Sequence, residues 1–303
     1  MLGPRAEGAV SLLEEYRRSL KAVDVEEAVD LAVYRPLGFL LVKAVYKTSV
    51  TPNQISLFSI LIGLLAGLGY GLGRRSTVVA GAVLLAFSIV LDCADGQLAR
   101  LKKNGTRFGR LLDGLVDYSV NLSVCLGLAV GLAPETHRWR WALLLLATVA
   151  TYIVHSAVLD YYRGRFIEAV LGTESEGEDE VYRSVREELA AVRETRGRMF
   201  RKAFLKLYLR YCELQKRLAF RRREEPFRSG VEAEEYRKRN KAVMRGWTFL
   251  GGSTANTWFI AMSLAGRIDL FFWGIIVAAN VWAVLMYLLQ AWIDRRMAVE
   301  AVS

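Results

Sequence analysis

Residues Ser76–Leu101 read STVVAGAVLLAFSIVLDCADGQLARL, an uncharged apolar run that ends in Asp92, Asp95 and Arg100. A helix rises 1.5 Å per residue, so a run of this length predicts a helix that crosses the roughly 30 Å hydrocarbon core of a bilayer. The connection LKKNGTRF follows, and the next segment, Thr106 to about Ala133, carries Asp113 and Asp117 in its first half and is apolar beyond. Two apolar segments therefore meet at four carboxylates and an arginine. A charged group inside a membrane-spanning helix costs about 3 kcal/mol or more unless something compensates it. Four acids so close together call for a strong cationic partner, and bound metal is the simplest one.

Composition agrees with a membrane setting. The 303 residues are 53% hydrophobic yet carry a formal charge of +10. Those values conflict for a soluble domain and agree for a membrane protein with basic cytoplasmic surfaces. Six stretches are long enough to span: Thr51 to Gly73, Ser76 to Leu101, Thr106 to Ala133, Trp141 to Leu159, Gly246 to Gly266 and Leu270 to Trp292. Gly251, Gly252, Ser253, Thr254, Asn256 and Thr257 dilute the fifth. The expected fold is an all-α integral membrane protein, a six-transmembrane-helix bundle with N-terminal interfacial helices and a helical cytoplasmic insert. Residues 1–22 offer no apolar core for a secretory signal. Lys43, Lys47, Lys102, Lys103, Arg107, Arg110, Arg295 and Arg296 outweigh Arg74, Arg75, Arg138, Arg140 and Arg267 on the other side. This bias predicts both termini, and the aspartate cluster, at the cytoplasmic face.

The chain divides into four parts in this reading. Residues 1–50 form juxtamembrane helices, 51–162 the first four spans, 163–245 a basic insert, and 246–303 the last two spans with a tail. Asp24 with Glu27 reads as a capping box for a helix that Pro36 interrupts. Leu37 to Tyr46 reads as an interfacial helix. Thr51-Pro52 predicts a helix start, threonine as N-cap and proline at the first position. Gly63, Gly67 and Gly71, with Gly127 and Gly131, are spaced for close helix packing in lipid. In the insert, GTESEGEDE is a linker. Phe200, Phe204, Leu207, Tyr211, Leu214 and Leu218 then make a heptad stripe on a basic helix. An amphipathic helix buried on one side is the reading there, and nucleic acid is not expected as a partner.

The spacing D-x2-D-G-x2-A-R-x8-G-x3-D-x3-D, from Asp92 to Asp117, resembles the signature of the CDP-alcohol phosphotransferase family at every position. TPNQIS resembles the PNxxT element of the first span in that family, with Ser56 in place of threonine. At 100° per residue Asp92 and Asp95 lie about 60° apart, and Gly109, Asp113 and Asp117 form a four-residue ladder on the next helix. Oxygen-only donors select Mg²⁺ or Mn²⁺, and two such ions would neutralise a pyrophosphate. The resemblance implies that Asp92, Asp95, Asp113 and Asp117 hold metal and that Asp117 is also the general base on the acceptor hydroxyl. Gly96, Ala99 and Gly109 would leave room for the CDP moiety, Arg100 would hold a phosphate oxygen, and Asn53 is a further substrate contact. It also implies a CDP-linked donor, an alcohol acceptor, release of CMP and a homodimer. The donor leans to CDP-diacylglycerol; a soluble CDP-alcohol such as CDP-choline, CDP-ethanolamine or CDP-inositol is the alternative.

A divalent-cation transporter would also use intramembrane carboxylates, but near the bilayer midplane between broken helices. Other polar residues have plainer readings. His155 reads as a hydrogen-bonded packing residue, Asn121, one turn past Asp117, as either a hydrogen bond supporting the site or an interhelical contact, and Asp160 with Arg163 and Arg165 as an end-of-helix ion pair. Cys93, Cys125 and Cys212 lack any metal-ligand or paired spacing and read as fillers.

Overall fold

The computed structural model describes residues 11–20, 23–103, 107–131, 138–171, 209 and 232–300, with side chains described at all of these except 107–117, 138, 171 and 298–300. All regular structure among the described residues is helical. Helix α1 is Leu12–Ser19, α2 Arg35–Val45, α3 Pro52–Gly71, α4 Arg75–Lys102, α5 Arg107–Gly131 and α6 Arg138–Leu171. Then come α7 Ala233–Thr248, α8 Gly252–Ala265, α9 Ile268–Trp273 and α10 Asn280–Glu300. The linker, the heptad stripe at 200–218 and Cys212 lie outside the described residues.

Four helices among the described residues are long and apolar enough to cross a membrane: Pro52–Gly71, Arg75–Lys102, Trp139–Val170 and Ile268–Met297. The apolar, described part of α5 is Tyr118–Gly131. The described residues are thus all-helical, and the chain is a multi-pass membrane protein. The expected fifth span is not one helix from Gly246. Residues 249–251 form a turn, and α8 begins at Gly252 with 14 residues. The Gly251-Gly252 pair is a poor helix interior, and an acidic side chain from elsewhere occupies the new N-terminus, as shown below.

The chain falls into two compact units, Met1–Ser156 with Arg245–Leu285, and Ala157–Met244 with Met286–Ser303. In the first, α3 packs between α4 and α5. Ser59 and Ser88, both buried, exchange hydrogen bonds between α3 and α4: Ser59 Oγ donates to the Ser88 carbonyl at 2.9 Å and Ser88 Oγ to the Ser59 carbonyl at 3.0 Å. Ser56 with Asp95 and Ser59 with Ser88 show that α4 runs antiparallel to α3. Gly63 lies against Val120, Gly67 against Ser123 and Gly71 against Gly127, so α5 runs parallel to α3 with almost no side chain between the two backbones. Tyr70, Ala82, Leu85, Val124, Leu128 and Phe272 fill the core around these contacts.

The α3 N-terminus follows the sequence reading. Thr51 Oγ1 accepts from Gln54 N–H at 3.4 Å and Gln54 Oε1 accepts from Thr51 N–H at 2.9 Å, a reciprocal cap with Pro52 at the first position. The expected cap at Asp24 and Glu27 is different. Residues 23–26 form turns, and helix begins after Glu27. The Glu27 carboxylate instead accepts from Ser253 N–H at 3.3 Å, Thr254 N–H at 2.7 Å and Thr254 Oγ1 at 2.8 Å, capping α8. Pro36 does not interrupt the chain either. A wide π-helical turn, Asp30–Tyr34, in which Arg35 N–H bonds the Asp30 carbonyl, re-registers the backbone so that Pro36 falls in the first turn of α2, where its missing N–H costs nothing.

Burial and, next, neighbouring Asp30 push the Glu27 pKa above its ordinary value of 4.5. The folded chain therefore holds this proton more tightly than the unfolded one. The stability it contributes is complete below that ordinary value and declines as pH rises through the higher folded one. Glu27→Ala leaves three donors without an acceptor and is expected to lose roughly 1–3 kcal/mol at pH 7. Thermal unfolding in detergent over a pH series checks both points. The variant should melt lower at neutral pH, and the gain seen in the wild type on acidification toward pH 4.5 should be reduced.

In the second unit, Asp160 pairs with Arg163 at 3.6 Å, but not at a helix end as expected: α6 runs on to Leu171, so the pair lies one turn apart inside the helix. Arg165 pairs with Asp294 at 2.8 Å, and Gln290 Nε2 donates to Asn240 Oδ1 at 2.8 Å and Asp294 Oδ1 at 3.1 Å.

Candidate functional site

The site is assembled at the C-terminal end of α4. Asp95 is 4% exposed, and Asp92 one turn earlier is half-buried. The apolar run that precedes them makes α4 a spanning helix, and its last turns turn polar on one side. Ser56, four residues after Pro52, is buried on the facing side of α3 and donates its hydroxyl to Asp95 Oδ2; Oγ also lies 3.2 Å from the Pro52 carbonyl. The residue read as a substituted threonine thus orients a motif carboxylate. Asn53 lies half-buried in the first turn of α3, near the same end.

Arg100 donates its Nε to the carbonyl of Ser19, the last residue of α1, and its terminal nitrogens stand 3.5 Å from where a Cβ on Gly96 would be. The guanidinium thus runs beside Gly96 at ordinary contact distance. Ala99 is half-buried one residue earlier. Lys102, counted among the basic residues of the cytoplasmic face, is committed locally: Nζ donates to the Thr48 carbonyl at 3.2 Å and the Val50 carbonyl at 2.9 Å. It thereby ties the loop before Thr51 to the end of α4, where Lys103 ends the helix in the left-handed conformation at φ 51°.

Gly109, Asp113 and Asp117 lie on α5, and their side chains are outside the described residues. Among the described residues no group of three metal-binding side chains occurs. The two described motif carboxylates fit a hard cation by donor type, being oxygen ligands on one helix end. They need the α5 pair to complete a set.

His155 is buried and its Nε2 lies 3.2 Å from Asn280 Oδ1, a packing hydrogen bond as read. Asn121 is half-buried on α5. Cys93 is buried and Cys125 half-buried, both as free thiols.

Sequence reasoning missed Gln97 and Ser19. Gln97 occupies a variable position of the motif, is 0% exposed, and donates Nε2 to Ser19 Oγ and to the Arg35 carbonyl, each at 3.1 Å. Nothing in the spacing marks Ser19. The one available signal was the capping box Ser11–Glu14, which opens α1.

Residues 49–172 match the family described as CDP-alcohol phosphatidyltransferase. That stretch of the chain is similar to the CDP-alcohol phosphatidyltransferase domain. All of the motif from Asp92 to Asp117, together with Asn53 and Ser56, lies inside the matched residues. Archaetidylinositol phosphate synthase of Pyrococcus horikoshii is 32% identical over 112 residues, 37% of this chain and 55% of that protein. Phosphatidylinositol phosphate synthase of Corynebacterium glutamicum is 37% identical over 75 residues, 25% of this chain and 33% of that protein. A bifunctional IPC transferase and DIPP synthase of Aquifex aeolicus is 28% identical over 118 residues, 39% of this chain and 26% of that protein. The chain thus spans about half or less of the length of these curated relatives. The likeness coincides with α3 to α6, and α8 to α10 lie beyond the matched residues.

Proposed function

We propose that this protein is a membrane CDP-alcohol phosphotransferase of phospholipid synthesis, transferring a substituted phosphate from a CDP-linked lipid to an alcohol hydroxyl and releasing CMP. The observation that carries the reading is the complete motif, with Asp95 buried and held by Ser56 at the polar end of α4. The activities of the relatives, inositol phosphate synthases among them, favour a phosphorylated polyol as acceptor and CDP-diacylglycerol or a similar CDP-lipid as donor.

Backbone register supports convergence of the two acidic pairs. α3 and α5 are parallel, with Gly63 opposite Val120. Carried two turns back along α5, that offset sets the backbone of 113–117 level with Ser56–Ile60, the stretch of α3 that also faces Asp95 and Asp92. In this reading Asp92, Asp95, Asp113 and Asp117 hold Mg²⁺ or Mn²⁺, two ions in all, which when bound neutralise the diphosphate and the departing CMP. Asn53, Gly96, Ala99 and Gly109 border the CDP moiety, and Arg100 donates to a phosphate oxygen. Asp117 takes the proton of the acceptor hydroxyl. The acceptor oxygen then bonds to the phosphorus farther from cytidine as the bond from that phosphorus to CMP breaks. The membrane part is a six-span bundle with α1 and α2 at the interface, the site faces the cytoplasm, and the protein acts as a homodimer.

The deciding assay follows CMP release from CDP-diacylglycerol, CDP-choline, CDP-ethanolamine and CDP-inositol. Each is tested with inositol phosphate, glycerol phosphate or serine, and with Mg²⁺, Mn²⁺ or chelator. Release from the lipid conjugate, dependent on metal and acceptor, is the expected result. Release only from a soluble conjugate reverses the donor, and no CMP from any pair removes the enzyme reading.

A further inference from the structure

The observations that the motif leaves unexplained cluster around one buried amide. Gln97 faces away from any spacing-defined role yet is fully enclosed, between Ser19 of α1 and Arg35 of α2. Its orientation follows from its partners. The Arg35 carbonyl only accepts, and Ser19 Oγ already donates to the Tyr16 carbonyl at 2.6 Å, so both call for the amide nitrogen. Gly38 completes the fit, since a Cβ there would stand 2.7 Å from Gln97 Oε1 and 3.2 Å from the Ala94 backbone nitrogen. Two hydrogen bonds from one side chain thus lock the end of α1 and the start of α2 against the motif helix. The same Ser19 presents its carbonyl to Arg100 Nε. With Nε held, the guanidinium plane is set and its terminal nitrogens run along Gly96.

We propose that Gln97 is a positioning residue for the donor's diphosphate, acting on Arg100 through Ser19, so that the N-terminal helices form part of the nucleotide site although none of their side chains is in the motif. This rests on the phosphotransferase reading above. Planar guanidinium recognition of phosphate is directional, so a tilt of the plane costs affinity while the charge stays in place.

The test is a double-mutant cycle in the full-length, detergent-solubilised protein, with CDP in the presence of Mg²⁺ as the probe. Gln97→Met keeps the volume and removes both donors. It is expected to weaken CDP binding roughly three- to tenfold, the scale of one or two lost hydrogen bonds. Arg100→Ala weakens it further, and adding Gln97→Met to Arg100→Ala should change nothing more. A purely structural role for Gln97 would instead give additive losses. Hydrogen exchange over residues 11–20 is the readout independent of nucleotide. It should rise in Gln97→Met and in Ser19→Ala, the milder variant if the first folds poorly.

Unchanged CDP affinity in Gln97→Met, additivity with Arg100→Ala, or unchanged exchange in α1 each overturns the proposal. Failure of the wild-type protein to bind CDP while exchange in α1 still responds to Gln97→Met overturns the nucleotide-site reading and this inference with it, leaving only the docking contact.

Discussion

Asp95→Asn is expected to abolish the dependence of CDP affinity on Mg²⁺ and to lower CMP release by more than about 100-fold, the upper effect of altering even a group that only supports a metal ligand. The substitution is conservative in shape. The amide that replaces the carboxylate keeps an oxygen that can still accept from Ser56, so the α3–α4 contact seen at this level survives, and a loss of function cannot be laid to unfolding. What disappears is one negative charge at a buried position, where charge is costly without a cation and strongly binding with one. Asp117→Asn should fail differently. With the proposed base gone, turnover falls by roughly 10²–10⁴, the usual contribution of a positioned general base, while CDP and Mg²⁺ still bind. Calorimetric titration with CDP with and without Mg²⁺, set beside CMP release, separates the two. Wild-type turnover in Asp117→Asn refutes the base assignment, and normal Mg²⁺-dependent CDP binding in Asp95→Asn removes Asp95 from the cation site.

The parts of this molecule that the sequence makes legible are those governed by local rules. Apolar length marks α3, α4 and α6. Thr51 and Pro52 mark the start of α3, and the motif spacing marks the polar end of α4. His155 behaves as its plain reading requires, and Asp160 pairs with Arg163 although α6 continues past both to Leu171. The illegible parts depend on partners far apart in the chain. Glu27 looks like a local cap because Asp24 stands three residues before it, yet its carboxylate serves Ser253 and Thr254, 226 and 227 residues away. Gly251 and Gly252 look like dilution of a span, and instead they break it and admit that carboxylate: a Cβ on Gly251 would lie 2.2 Å from it. Gln97 looks like a filler between motif positions because its two acceptors belong to helices 78 and 62 residues earlier. Lys102 looks like one more basic residue of the cytoplasmic face because its charge is visible and the carbonyls it reaches are not.

Gly127→Ala should be among the most disruptive single-methyl changes in the chain, because of what the methyl would strike. A Cβ at 127 would stand 2.2 Å from the Gly67 carbonyl oxygen and 3.1 Å from the Gly71 nitrogen, both backbone atoms of α3. Backbone cannot rotate away, so α3 and α5 must part by roughly 1 Å, with overpacking costs of about 1–3 kcal/mol. Alanine's better helix propensity returns up to about 1 kcal/mol and does not cover this. Dispersion between closely approached helices is what holds them together in lipid, and it falls off steeply with separation. Gly63→Ala should cost somewhat less, because its Cβ would meet the Val120 side chain, Cγ2 at 2.2 Å and Cβ at 2.9 Å, and not backbone; turning χ1 relieves only part of that clash, so α5 must still shift. Gly164→Ala, with nothing within 4 Å among the described residues, should be neutral or slightly stabilising. Melting temperatures in detergent should therefore fall in the order Gly164→Ala, Gly63→Ala, Gly127→Ala, and CMP release should fall most in the last. The functional loss follows from the same register: α5 carries Asp113 and Asp117, and its height against α3 is set by these glycines. A Gly127→Ala protein as stable and as active as the wild type would show that α5 is positioned by something other than its contact with α3.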